Sequence, residues 1–193
     1  MKYDEFLRAI RSAAEATGQD TVYVVGSQAI LASFLHNDLP PEATASAELD
    51  ARPFDDDENE TLTTRIDVLL GEFSEFDQKH GFYVQGVGRN TAVLADGWED
   101  RLIRVTQPGS TAVALCLEAV DLCVSKLVAM REKDVAFVEA LMHVGFVTAD
   151  DLTERIGGLA DGQQQEDGPI VDENYRDRLR SWVTGAELRR TWG

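Results

Sequence analysis

The sequence predicts an α/β (α+β) protein, a small mixed sheet with flanking helices followed by a helical C-terminal part. Three observations carry this reading. Short β-rich apolar runs alternate with helical periodicity over roughly the first hundred residues. Gly86, Gly88-Arg89-Asn90 and Asp96-Gly97 supply turns between later β signals. From Leu117 onward the apolar spacing is helical only. The expected division is an α/β core over residues 1–110 and a helical region over 111–193.

The elements follow in order. Residues 4–17 read as an amphipathic helix, with Phe6, Leu7, Ile10, Ala13 and Ala14 at helical spacing and Gly18 past the end. Residues 22–25 form a short buried strand, and Ser27 is placed to cap a helix reaching about residue 36. Asn37-Asp38-Leu39-Pro40-Pro41 breaks that helix, and residues 46–52 make a second strand closed by Pro53. The acidic run 55–60 leads into a helix over 61–70, where negative residues suit the first turn. Residues 71–76 are loop-like, and strands are expected at 82–87, 91–94 and 102–105. Helices follow at 118–132, 135–144 and 150–156. Residues 157–167, rich in glycine, glutamine and acid, read as a flexible linker before a last helix over 172–190.

The chain has 193 residues, 44% hydrophobic, which suits one compact domain or one plus a small appendage. No apolar run approaches a membrane span, and residues 1–7 read as the start of an amphipathic helix, not a signal peptide. The cysteines, Cys116 and Cys123, lie seven apart; on one helix they would share a face but not a bridge, and a reduced cytoplasmic compartment is expected. The formal charge is −17. That is awkward for a nucleic-acid partner, although an acidic surface also follows from solubility, a salty cytoplasm, a small local polymer-binding face or a basic partner. It does not bear on nucleotide binding.

Three patterns bear on chemistry. The strand-to-turn segment Val22-Tyr23-Val24-Val25-Gly26-Ser27 opens a helix whose free backbone N–H groups would favour an anion. Then Ser46-Ala47-Glu48-Leu49-Asp50 places two acids at i and i+2, which in a strand share one face. The alternative is an edge strand with a solvated acidic face. Convergent acids repel unless a cation lies between them, and few, hard oxygen ligands suit Mg²⁺, with waters and phosphate oxygens completing its shell. Further on, Lys126, Arg131 and Lys133 form a local basic group beside Asp134 in an acidic chain, either a solvated helix surface or a phosphate contact. Gly86-x-Gly88 opens no helix and is not a dinucleotide fingerprint. His36, His80 and His143 have no ligand spacing for zinc.

Taken together, Gly26-Ser27-Gln28-Ala29-Ile30-Leu31, the Ser-x-Glu-x-Asp at 46–50, Gly71-Glu72-x-Ser74-x-Phe76, the run 81–87, Gly97-Trp98-x-x-Arg101 and Asp121-Leu122-x-x-Ser125-Lys126 through Asp134 resemble one uncharacterised family. It is similar to the minimal nucleotidyltransferases of the polymerase-beta-like superfamily, related to AbiEii-type toxin nucleotidyltransferases, over about residues 20–155. The resemblance implies that Glu48 and Asp50 hold metal and Gly26 and Ser27 hold triphosphate. It also implies that a later helical lysine and acid, matched by Lys126 and Asp134, assist phosphate binding and the site, and in the expected reaction Lys126 or Arg131 would neutralise charge on the leaving pyrophosphate. Two departures stand out. The first acid is Glu48 where the superfamily has Asp, and no third strand carboxylate is visible, with Glu72 in a loop the candidate.

The expected activity is Mg²⁺-dependent transfer of an NMP from an NTP to an acceptor hydroxyl of RNA, such as tRNA, or of a protein. A toxin–antitoxin setting with a cognate antitoxin partner would follow from the toxin relatives. The alternatives are a degenerate binding or regulatory module and a small-molecule nucleotidyltransferase acting on a cationic, aminoglycoside-like acceptor.

Overall fold

A computed structural model describes residues 1–165 and 168–192, Trp192 by its backbone alone. The chain forms two compact units that are not consecutive in sequence. The first comprises Met1–Arg89 and Leu102–Glu118; the second comprises Asn90–Arg101 and the chain from Ala119. The sequence-based division at residue 110 differs because a strand just beyond it completes the sheet, while the segment after Arg89 joins the helices.

In the first unit, helix α1 (Tyr3–Thr17) precedes strand β1 (Thr21–Val24) and a six-residue 3₁₀ segment, Ser27–Ala32. After the short helix α2 (Pro41–Thr44) come β2 (Glu48–Pro53), α3 (Thr61–Leu70), α4 (Glu75–His80) and β3 (Tyr83–Gly86). Strands β4 (Ile103–Thr106) and β5 (Val113–Cys116) finish a mixed sheet of order β3-β2-β1-β5-β4. β1 runs antiparallel to β2 and parallel to β5; β2 is parallel to β3, and β4 antiparallel to β5. The predicted class, a small mixed sheet with flanking helices and a helical C-terminal part, is the observed one.

Strand alternation separates two faces. Val22, Val24, Leu49, Ala51, Val84, Ala114 and Cys116 are fully buried on one of them. Helices α1 and α3 pack on the sheet, with Phe6, Ala9, Ala13 and Ile66 fully buried. The other face carries the half-buried Tyr23, Glu48, Asp50, Arg52 and Tyr83 and the exposed Gln85. Both cysteines are buried free thiols, and burial alone pushes the Cys116 thiol up to about 12. Cys116 ends β5, so the one-helix reading of the pair does not hold.

The second unit contains α5 (Ala119–Ala129), α6 (Glu132–His143), α7 (Ala149–Gly157) and α8 (Glu173–Trp192). The predicted helix over 118–132 stops early, at Met130, whose φ of 51° is left-handed. Residues 91–94 are not the expected strand. Their carbonyls are met by amide side chains instead: Gln165 Nε2 donates to Thr91 O, and Gln163 Nε2 donates to Leu94 O at 2.9 Å. The same two glutamines tether the described part of the predicted flexible linker; Glu166 and Asp167 lie outside the described residues.

The α-helix expected from Ser27 is a 3₁₀ turn with Gly26, not Ser27, at the cap position and no side-chain cap. Gln28, Ala29, Ile30 and Leu31 are buried in succession, so the segment has no solvent face to support an amphipathic α-helix. Helices α2 and α4 and strand β5 escaped the sequence reading. Ser74 caps α4 by accepting from Asp77 N at 3.2 Å, and β5 lies between β1 and β4.

Candidate functional site

β2 builds the site. Its burial alternates, with Leu49 and Ala51 inward and Glu48, Asp50 and Arg52 on the half-open face. The two predicted acids therefore share a strand face. Pairing sets their neighbours: Glu48 lies opposite Tyr83, Asp50 opposite Gln85, and Arg52 opposite Tyr23.

The turn meets the strand at Asp50. Val25 N donates to Asp50 O at 3.2 Å, continuing the β1–β2 pairing one residue beyond β1. A Cβ built on Gly26 would overlap the Asp50 carboxylate. Glycine is thus required at position 26 by close approach, since its φ of −95° would suit any residue. Gly26 and Ser27, both half-buried, sit beside one of the two strand acids. Gly86 and Gly71 have a similar origin. A Cβ on either would run into a backbone carbonyl of α3, that of Thr63 or Asp67.

Glu48 is held by Tyr83, whose hydroxyl donates to Glu48 Oε2 at 2.9 Å. Burial raises the Tyr83 pKa well above its ordinary value, and the Glu48 hydrogen bond and the charges of Glu48, Glu72 and Asp50 raise it further. The loop acid Glu72 thus acts on the same hydroxyl as the two strand acids. Among the described residues, no group of three His, Cys, Asp or Glu side chains is arranged to hold a metal ion. The Glu48–Asp50 pair offers hard oxygen donors only, a set that suits Mg²⁺ with waters and phosphate oxygens in its remaining positions and suits zinc poorly.

In the second unit, Lys126, Arg131 and Asp134 form a cluster of their own. Asp134 is fully buried; Lys126 Nζ donates to its Oδ1 at 3.0 Å, and Arg131 Nε donates to its Oδ2 at 2.5 Å. Lys126 is 8% exposed and lies 4.6 Å from the centroid of the Phe137 ring. Burial works to raise the Asp134 pKa, but the Arg131 and Lys126 contacts outweigh it and hold the carboxyl below its usual range. A second buried acid, Asp121, accepts from Arg101 Nε at 2.8 Å and from Arg101 Nη2 at 3.0 Å, and pairs with Arg155. Sequence reasoning placed Arg101 and Asp121 in the family pattern without giving them a role. The available signal was an acid at 121 inside a strongly apolar helix. Tyr83 was likewise missed, although its alternation within the 81–87 run marks it as facing away from Val84.

A family model described as a nucleotidyltransferase of unknown function (DUF6036) matches residues 2–167. No curated protein and no solved structure matches the chain. The matched span contains the Gly26-Ser27 turn, the Glu48–Asp50 strand and the Lys126–Asp134 segment, and the chain belongs to this family of nucleotidyltransferases of unknown function.

Proposed function

We propose that the protein is a metal-dependent nucleotidyltransferase of the polymerase-beta-like type, moving an NMP from an NTP to an acceptor hydroxyl. The contact between Asp50 and Gly26 carries this reading, because it sets a carboxylate against a side-chain-free turn. Glu48 and Asp50 would hold Mg²⁺, which when bound supplies positive charge to the phosphates. The backbone N–H groups of the Gly26-Ser27 turn, beside the Asp50 carboxylate, would take the triphosphate. Tyr83 fixes the Glu48 carboxylate and so limits its rotamers before substrate arrives. In the reaction the acceptor oxygen bonds to the α-phosphorus as the bond to the bridging oxygen breaks. Pyrophosphate leaves, and the acceptor's proton passes to a strand carboxylate.

A phosphate role for Lys126 and Arg131 competes with Asp134, which holds both. RNA such as tRNA, or a protein side chain, is the acceptor class the toxin resemblance favours, with a cognate antitoxin as partner. The charge of −17 favours instead a cationic, aminoglycoside-like acceptor. The two-acid face, with no third ligand among the described residues, favours a degenerate binding module.

Incubation with each labelled NTP, Mg²⁺ and total tRNA, cell extract or an aminoglycoside tests the reading. Label should pass to one acceptor class and Asp50→Asn should abolish the transfer. Stabilisation by Mg·NTP without transfer to any acceptor would establish the degenerate module instead.

A further inference from the structure

Along the half-open face of β2, Arg52 follows Asp50 by two residues, about 7 Å further from Glu48 at the usual strand rise. Its guanidinium carbon lies 4.4 Å from the centroid of the Tyr23 ring. Phe54, just past the strand, stacks on the same Tyr23 with centroids 5.6 Å apart and planes 12° from parallel. Phe54 is 55% exposed, so one ring face lies on Tyr23 while much of the remainder meets solvent. Arg52 and Phe54, though not Tyr23, border a cavity of about 270 Å³ that Thr63 and Arg89 also line. That volume is close to the lower end of small-molecule sites, roughly 300 Å³.

The charges indicate what fits there. Arg52 and Arg89 face three acids in the lining, Asp55, Asp56 and Glu60, so the cavity is no phosphate trap. Two of those acids already serve the fold: Asp56 accepts from Leu62 N and Thr63 N at 2.9 Å, and Glu60 Oε1 accepts from Arg89 N at 3.3 Å. A preset aromatic face beside a guanidinium suits an uncharged planar ring with polar edges. Position agrees. On β1, Tyr23 precedes Gly26 by three residues, about 10 Å, so the rings lie along the sheet on the side away from the turn.

We propose that Tyr23, Arg52 and Phe54 form a stacking platform for the nucleobase of the incoming nucleotide, whose triphosphate lies at Asp50 and the Gly26-Ser27 turn. This rests on the nucleotidyltransferase reading above. The Phe54 ring takes the base in parallel stacking, and Arg52 closes the platform on the side of the carboxylates.

The test compares ATP, GTP, CTP and UTP with inorganic tripolyphosphate, which has no base. Each is titrated with Mg²⁺ into the wild type, Phe54→Ala and Phe54→Trp by calorimetry. Loss of the stacking ring should weaken the preferred NTP about tenfold, leave tripolyphosphate unchanged, and be reversed by tryptophan. Unchanged NTP affinity in Phe54→Ala, with tripolyphosphate still bound, overturns the platform and leaves the phosphate end standing. Parallel weakening of NTP and tripolyphosphate also overturns it, since the ring would then act only through the fold. Failure of the wild type to bind either ligand overturns the platform together with the nucleotidyltransferase reading.

Discussion

The carboxylate of Asp50 occupies the space that a side chain on Gly26 would need. Gly26 follows β1 by two residues and Asp50 lies on the antiparallel neighbour β2, so the strand pairing, extended by Val25 N donating to Asp50 O, brings the turn and the acid together. Gly26→Ala should therefore displace the carboxylate and cost about 1–3 kcal/mol of stability, the usual range for overpacking. In an Asp50→Ala background the same substitution should cost much less, because the clashing group is gone. A double-mutant cycle by urea unfolding measures the coupling, and additive losses would mean that the clash is relieved elsewhere.

Tyr83 and Glu48 make a second pair with a measurable signature. Tyr83→Phe removes the donor from a half-buried carboxylate and should cost about 0.5–1.5 kcal/mol. The Tyr83 pKa is raised in the folded state, so its contribution is complete below about pH 10, the unfolded value, and is lost as pH climbs above it. The wild type should lose stability in that alkaline range more steeply than Tyr83→Phe. Identical alkaline limbs in thermal melts would count against the pairing.

Asp134 is a buried anion between two cations, and its removal takes the carboxylate from the buried Lys126. Asp134→Asn should destabilise by about 3–5 kcal/mol, as breaking a buried pair does. Lys126→Met should cost less, because Arg131 still neutralises Asp134. The Asp134 pKa is depressed, so the stability it confers is present above about pH 3.9 and lost as pH falls through the folded value. Acid titration should show this loss in the wild type and not in Asp134→Asn. Tripolyphosphate affinity separates the roles of Lys126: it stays constant in Lys126→Met if the lysine serves only the fold, and drops if the lysine also meets phosphate.

The acidic run before α3 is not simply surface charge. Asp56 accepts from Leu62 N, Thr63 N and Thr63 Oγ1, each at 2.9 Å, and closes the first turn of the helix. Burial pushes its carboxyl up, yet these hydrogen bonds outweigh burial and hold it below the ordinary value. Asp56→Ala should cost about 1–2 kcal/mol, as loss of a helix cap does. Asp55→Ala should change stability little, because the backbone of Asp55, not its carboxylate, bonds Gln19. Equal melting temperatures for the two variants would contradict the capping assignment.

The features legible in the sequence were local and periodic. The two-residue alternation of β2 placed Glu48 and Asp50 on one face, and the helical spacing over 4–17 and 61–70 located α1 and α3 within a residue. These signals need no knowledge of any partner, because strand and helix geometry repeat over a few residues. The tertiary structure decided everything that depended on a distant neighbour. Strand β5 escaped notice because it lies between β1 and β4 and is buried at Val113, Ala114 and Cys116, leaving no alternation to read. Residues 91–94 looked like a strand but bond Gln163 and Gln165, some seventy positions away. Neither the contact of Gly26 with Asp50 nor the hold of Tyr83 on Glu48 is written in either segment alone. Both arise where strands far apart in the chain pair at one register, and that register is set by burying a shared apolar face.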